Sequence, residues 1–104
     1  MIDEEWCGGI RRDLNLNLVL LLNKLSTFYF DKKAFQLCIT ICRRMLEKDN
    51  CLEDTHLKIM KCYMEIGLRD QAIRQFGICE EALNSLDLKP GKNIKSFFEK
   101  IILE

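Results

Sequence analysis

Apolar residues along this chain recur at intervals of three and four, which is the periodicity of an α-helix. One such run covers residues 57–66 and stops at Gly67, and a second run, with Ala72 near its start, follows at once. Glycine adopts the left-handed backbone conformation that commonly ends a helix. Alanine is small enough to let two helix backbones approach closely. The pattern therefore predicts a helical hairpin with a very short turn.

The same hairpin pattern occurs twice. A shift of 34 residues places Tyr63 on Tyr29 and Phe76 on Cys42, so apolar positions of the second copy fall on apolar positions of the first. This period and core pattern resemble the tetratricopeptide motif, a helical pair repeated every 34 residues. We predict an all-α fold and one domain over residues 1–104: a right-handed, tetratricopeptide-like stack of two helical hairpins, with repeats at about 19–52 and 53–86.

The C-terminal segment has the pattern of one more helix. Pro90 and Gly91 interrupt the chain, and Ile94, Phe97 and Ile101 then recur at helical spacing. Because a stack of repeats needs its open end covered, we predict a capping helix at about 93–103. The chain would then contain about five helices.

The first helix carries more leucines than a single buried face needs. Leu16 and Leu20 lie about 160° to 200° around a helical wheel from the predicted buried stripe, so they are candidates for contact with another helix of this chain, a second copy or a partner. Scattered surface leucines are the equally weighted alternative. The predicted buried stripe consists of Leu14, Leu18, Leu22, Leu25 and Tyr29.

Two helix starts have candidate capping residues. Asp31 is a predicted N-cap of the second helix, and Asn50 followed by Glu53 resembles a capping box before the third.

Charge and hydropathy narrow the function classes. Sixteen basic residues balance sixteen acidic ones, so the chain lacks the basic footprint of a nucleic-acid binder. The longest apolar run, Leu18–Leu22, is far too short to cross a membrane. The start is acidic, unlike a secretory signal peptide. We therefore predict a cytoplasmic protein that contacts neither membrane nor, through this domain, nucleic acid.

The six cysteines and the single histidine are better explained as core residues than as ligands or catalysts. No Cys-x-x-Cys motif occurs, and most cysteines fall on apolar helical stripes. A site at Cys38 and Cys42, or at Glu53 and His56, would lack further metal ligands. No phosphate-binding loop or paired acid accompanies them. The sequence thus predicts no metal, no cofactor and no enzyme activity.

A closer family resemblance emerges from the aligned repeats. It is carried by Cys42-Arg-Arg-Met-Leu46-x-x-Asp49, Glu53-x-x-His56-x-x-x-Met60-x-x-Tyr63-x-x-x-Gly67 and Ala72-Ile-x-Gln-Phe-x-x-Cys79, with Trp6 and Arg11 as supporting positions. Over nearly its whole length the chain resembles the bacterial transcriptional activation domain of antibiotic-regulatory-protein-type regulators. Cys38 stands where that family has a small residue, and Asp49-Asn50 replaces Asp-Pro.

This resemblance implies a protein-interaction and dimerisation module of a bacterial transcription regulator. In that family the module normally follows a winged-helix DNA-binding domain, which these 104 residues do not contain. The implied partners are a second copy of the regulator and RNA polymerase or a sigma factor. The resemblance to tetratricopeptide repeats further implies a groove lined by the first helix of each pair, at Leu20, Asn23, Thr27, Leu57, Lys61 and Met64.

Two other functions stay open at this point. The main alternative is a free-standing tetratricopeptide adaptor that binds a peptide or helix of a partner protein. Its carboxylate-clamp subtype is disfavoured, because the groove positions for that clamp hold Asn23 and Thr27. A more remote alternative is an oxidation sensor that uses Cys38 and Cys42.

Overall fold

A computed structural model describes residues 4–103 of the chain, with side-chain surroundings from Asn17 to Leu103. Over this part the protein is all-helical and contains no strand. Within residues 4–103, no helix combines the length and the hydropathy that a membrane span requires. The helices are α1 (Glu4–Asp31), α2 (Phe35–Lys48), α3 (Glu53–Glu65), α4 (Arg69–Asn84) and α5 (Lys92–Leu103).

The helices form the predicted tetratricopeptide-like stack. Consecutive helices pack on one another from α1 to α4, and α5 packs against both α3 and α4. The first hairpin consists of α1 and α2, and the second of α3 and α4. The helix α5 lies at the open end of the second hairpin, as expected for a cap.

The turns that close the two hairpins have the same backbone structure, 34 residues apart. At the end of α3, the Leu68 N–H donates to the Tyr63 carbonyl at 2.7 Å, and the Gly67 N–H donates to the Met64 carbonyl at 3.2 Å. This is a Schellman motif, with Gly67 in the left-handed conformation at φ 82°. An equivalent pair of bonds ends α1, where Lys33 takes the left-handed position at φ 63°.

The core is continuous from α2 to α5. Ala72 is fully buried, as expected where α4 approaches α3 closely, and four cysteines are fully buried as small apolar residues of the core. The buried apolar residues of this core are Cys38, Ile39, Cys42, Ile59, Met60, Cys62, Tyr63, Ala72, Phe76, Cys79, Leu83, Ile94 and Ile101.

Polar contacts and one aromatic pair fix α5 on the second hairpin. The rings of Phe76 and Phe98 stack with centroids 4.0 Å apart. Near the C-terminal end of α5, the Arg69 guanidinium donates to the Ile101 carbonyl at 2.6 Å. At its start, the Gly91 N–H donates to the Glu53 carboxylate at 2.9 Å. Both ends of α5 are therefore bonded to the repeats.

The predicted helix caps are wrong. Asp31 is the last residue of α1, and the N-cap positions of α2 and α3 are Ala34 and Leu52, neither of which forms a side-chain cap. The α2–α3 turn is instead ordered by Asp49, whose carboxylate accepts the backbone N–H two residues later. The carboxylate of Glu53 accepts the Gly91 N–H at the start of α5 instead of capping α3.

The predicted buried stripe of α1 is also wrong in part. Leu18 and Leu25 are 39% and 38% exposed, and Leu22 is half-buried. Among the side chains of α1 described from Asn17 onward, the fully buried one is Ser26, which lies beside the Cys42 thiol of α2. Because α1 is apolar on more than one side, periodicity alone did not identify the side that α2 covers. The side chain of Leu14 lies outside the described part. Tyr29 is half-buried and packs against the core.

Candidate partner-binding groove

A concave surface runs across the first helix of each hairpin and the capping helix. Its floor is partly apolar, because Phe30, Leu57 and Phe97 from three different helices lie along it. The surface, here called the groove, is lined by Thr27, Phe30, Asp54, Leu57, Lys58, Lys61, Met64, Glu65, Asn93, Ser96, Phe97, Lys100 and Ile101.

Lys58 joins the two hairpins at the floor of the groove. Its ammonium group donates to the Oδ1 atom of Asn23 at 3.2 Å and to the hydroxyls of Ser26 and Thr27, each at 2.9 Å. All three acceptors belong to α1, while Lys58 belongs to α3. These bonds hold the two groove-lining helices in a fixed relation before any partner binds.

A second lysine lies between α3 and α5. The Lys61 ammonium is 5.9 Å from the centroid of the Phe97 ring, close enough for a cation–π interaction. Lys100 lines the same region from α5. The groove therefore combines aromatic and aliphatic surface with ammonium groups that face solvent.

The structure brings most of the predicted groove residues to this face. Thr27, Leu57 and Lys61 line the groove itself, and Met64 lies at its far end. Leu20 and Asn23 line an adjoining depression between α1 and the start of α3. The side chain of Leu16 lies outside the described part. That these residues contact a partner stays a prediction.

Other groove residues were missed by the sequence analysis. Phe97 was assigned only to the apolar face of the capping helix and Lys100 was not considered, because the tetratricopeptide template does not place a capping helix relative to the groove. Lys58 was missed since a lysine next to an apolar helical position usually extends into solvent. The signal that was available is its spacing of three residues from Lys61, which places both on one face of α3.

Helix α1 carries a second exposed surface. Leu18, Leu21, Leu25 and Phe28 are 38–57% exposed and are separated by three, four and three residues. We call this set the α1 stripe. Leu21 and Leu25 lie about 120° to 180° around the helix from Thr27 and Phe30, the groove residues of α1, so the α1 stripe and the groove face different directions.

His56 is buried and fully bonded. It is 0% exposed, its Nε2 atom lies 2.8 Å from the Asn50 carbonyl, and its Nδ1 atom lies 2.7 Å from the Gln75 side-chain nitrogen. Since a carbonyl can only accept and the amide nitrogen can only donate, the ring is neutral with its proton on Nε2. Burial lowers the pKa of His56, and the bond to Asn50 and the nearby Glu53 carboxylate oppose this shift.

The thiols of the repeat core are also buried. Burial raises the pKa of Cys79 to about 11 and that of Cys42 to about 12. Thiols with such pKa values stay protonated at neutral pH and react slowly. Among the described residues, no group of three histidine, cysteine or acidic side chains is arranged to hold a metal ion.

The fold places the chain among proteins built from stacked helical hairpins, which form extended concave surfaces. A profile of the bacterial transcriptional activator domain family matches residues 1–102. The chain belongs to this family, which consists of regulatory domains of transcription activators rather than enzymes. Searches of curated proteins and of solved structures found no significant match.

Proposed function

We propose that this chain is the protein-interaction and dimerisation module of a bacterial transcription regulator, contacting its partner through the groove. Membership of the activator domain family supports the regulatory role. The observation that carries the interaction role is the groove itself, where Leu57 and Phe97 offer apolar contact area between ammonium groups. A regulator of bacterial transcription works in the cytoplasm, and RNA polymerase or a sigma factor is its proposed partner.

Hydrogen bonds connect the helices that line the groove before any partner arrives. Lys58 fixes α1 to α3 through three hydrogen bonds. Glu53 and Arg69 fix the two ends of α5. A preformed surface loses little conformational entropy on binding, which favours affinity.

Binding of purified RNA polymerase holoenzyme, measured by biolayer interferometry, tests this role. The charge insertions Leu57→Glu and Met64→Glu together should weaken binding at least tenfold, because each places a carboxylate on apolar contact surface of the groove. The control is Ile78→Glu, which changes an exposed α4 residue outside the groove. Circular dichroism checks that the variants stay folded. Equal binding by the groove and control variants would contradict the proposal.

We propose that the α1 stripe pairs with the same stripe of a second copy. Alternating spacings of three and four residues are those of a coiled-coil seam. The α1 helix of a second copy would present the same spacing to this stripe. Lys24 is the one charged residue between Asp13 and Asp31, so the helix offers little for a charged partner to recognise. The seam from Leu18 to Phe28 is about 16 Å long, which suggests a weak dimer in the micromolar range.

Analytical ultracentrifugation tests this pairing. The double change Leu21→Glu with Leu25→Glu should convert dimer to monomer, whereas Leu86→Glu, at an exposed site beyond α4, should not. A wild-type chain that is monomeric at several hundred micromolar, or a stripe variant that still dimerises, would exclude the α1 stripe as the interface.

The proposal also places a winged-helix DNA-binding domain N-terminal to this module in the complete regulator. Sequencing the gene upstream of the Met1 codon tests this part. A reading frame of about a hundred codons with a winged-helix pattern would support it. An immediately preceding stop codon and ribosome-binding site would favour the free-standing adaptor.

A further inference from the structure

The depression between α3 and α5 has a distinct chemical character within the groove. It holds about 420 Å³, which is the size of a pocket that accepts a few side chains rather than a whole helix. We call it the α3–α5 pocket. Its lining consists of Leu57, Lys61, Asn93, Ser96, Phe97 and Lys100.

This lining contains two ammonium groups and no carboxylate. Lys61 and Lys100 supply the charge, Asn93 and Ser96 supply further hydrogen-bond donors, and the remaining walls are apolar. The concentration of positive charge is local, since the chain has sixteen basic and sixteen acidic residues. It therefore marks this pocket rather than the whole surface.

The surroundings leave the positive charge available. The contact of Lys61 with the Phe97 ring orients the ammonium group without neutralising it. The groove carboxylates Asp54 and Glu65 line the adjoining depressions towards the two ends of α3. Each shares its depression with two lysines, Lys58 and Lys61 beside Asp54 and Lys61 and Lys100 beside Glu65. Positive charge is therefore in excess along the groove, and the α3–α5 pocket is the part whose lining holds lysines and no carboxylate.

Resting on the proposed function, we infer that the α3–α5 pocket receives an acidic segment of the partner protein, with a carboxylate side chain next to an apolar one. The carboxylate pairs with Lys61 and Lys100, and the apolar side chain packs on Leu57 and Phe97. The phosphates of a nucleic acid would pair with the lysines but would not pack on the apolar walls. An uncharged peptide would pack on the walls but would provide no negative charge to pair with the two ammonium groups.

Selection from a phage-displayed library of random 12-residue peptides tests this inference, with the whole chain as target. Enriched peptides should contain Asp or Glu adjacent to Leu, Ile or Phe. Synthetic versions should bind the double variant Lys61→Glu, Lys100→Glu at least tenfold more weakly than the wild type, because two attractive pairs become repulsive. Replacing their acids by Lys should restore binding to that variant.

The matched control is Lys48→Glu with Lys89→Glu, which makes the same change in net charge at exposed positions outside the groove. It should bind the selected peptides as the wild type does. Enrichment of neutral or basic peptides, no enrichment at all, or equal losses in both double variants would overturn the inference. So would equally tight, pocket-dependent binding of a single-stranded oligonucleotide.

The same peptides separate this inference from the proposed function. Peptides that lose binding to the variant Leu57→Glu, Met64→Glu but bind the variant Lys61→Glu, Lys100→Glu as the wild type would show that the groove binds partners of a different chemistry. Peptides that bind all groove variants as tightly as the wild type would show that the groove itself is not the binding surface.

Discussion

Replacement of His56 by leucine is the sharpest test of how the two helices of the second hairpin are held to each other and to the turn before them. The ring lies at the start of α3, and its two nitrogens bond to Asn50 in the preceding turn and to Gln75 of α4. It therefore connects three parts of the stack. Leucine fills a similar volume but can form neither bond.

The cost follows from the groups left behind. The change removes two hydrogen bonds, each worth about 1 kcal/mol, and leaves a carbonyl and a buried amide without partners. Gln75 is 7% exposed, so water reaches its amide poorly. We expect the free energy of unfolding to fall by roughly 2–3 kcal/mol, which for a domain of this size lowers Tm by about 10–20 °C.

The pH dependence gives an independent readout of the same residue. Burial lowers the pKa of His56 in the folded state, so above its unfolded pKa of about 6.5 the residue is neutral in both states. As pH falls below that value, the unfolded chain binds a proton that the folded chain resists. Stability is therefore lost as pH falls towards the folded pKa, by up to about 1.4 kcal/mol per pH unit.

Urea unfolding at pH 7.5 and 5.5, followed by circular dichroism, measures both effects. As pH falls, the wild type should lose stability relative to His56→Gln, a variant that has no titrating group at this position. A loss below about 0.5 kcal/mol for His56→Leu at pH 7.5 would refute the bonding role. A pH-independent difference between wild type and His56→Gln would refute the neutral, buried state.

Three further predictions concern the turns, the cap and the thiols. Lys33→Gly should raise the free energy of unfolding and Gly67→Ala should lower it, each by about 1 kcal/mol in urea titrations, because both positions have positive φ. Glu53→Ala should increase amide hydrogen exchange at the start of α5, since it removes the acceptor of the Gly91 N–H. In thiol titration with a disulfide reagent, half-exposed Cys51 should react before the described buried cysteines, which should react on unfolding. Opposite signs, unchanged exchange or uniform reactivity would contradict these expectations.

The architecture was predictable from the sequence because its signals are local. Gly67 marks a left-handed helix end, and the 34-residue shift from Tyr63 to Tyr29 relates turns that have the same hydrogen bonds. Ala72 indicates close helix packing. Each of these signals reflects a backbone or packing constraint that can be recognised from the identity of one or two residues.

The side chains that complete the groove were less predictable, since they depend on tertiary contacts. Glu53 resembles a helix cap in sequence but bonds to a segment 38 residues away. Leu18 and Leu25 match a buried pattern, yet α2 packs on the side marked by Ser26. Choosing between apolar sides of one helix requires knowing where its neighbour lies, which periodicity does not specify.

Site-specific photo-crosslinking in the bacterium tests the central claim most directly. A benzophenone amino acid placed at Met64 in the complete protein should crosslink to a subunit of RNA polymerase or to a sigma factor, identified by mass spectrometry. The same group at Ile78, exposed outside the groove, should not. Crosslinks to the same protein from both positions, or none from Met64, would contradict a partner-binding groove.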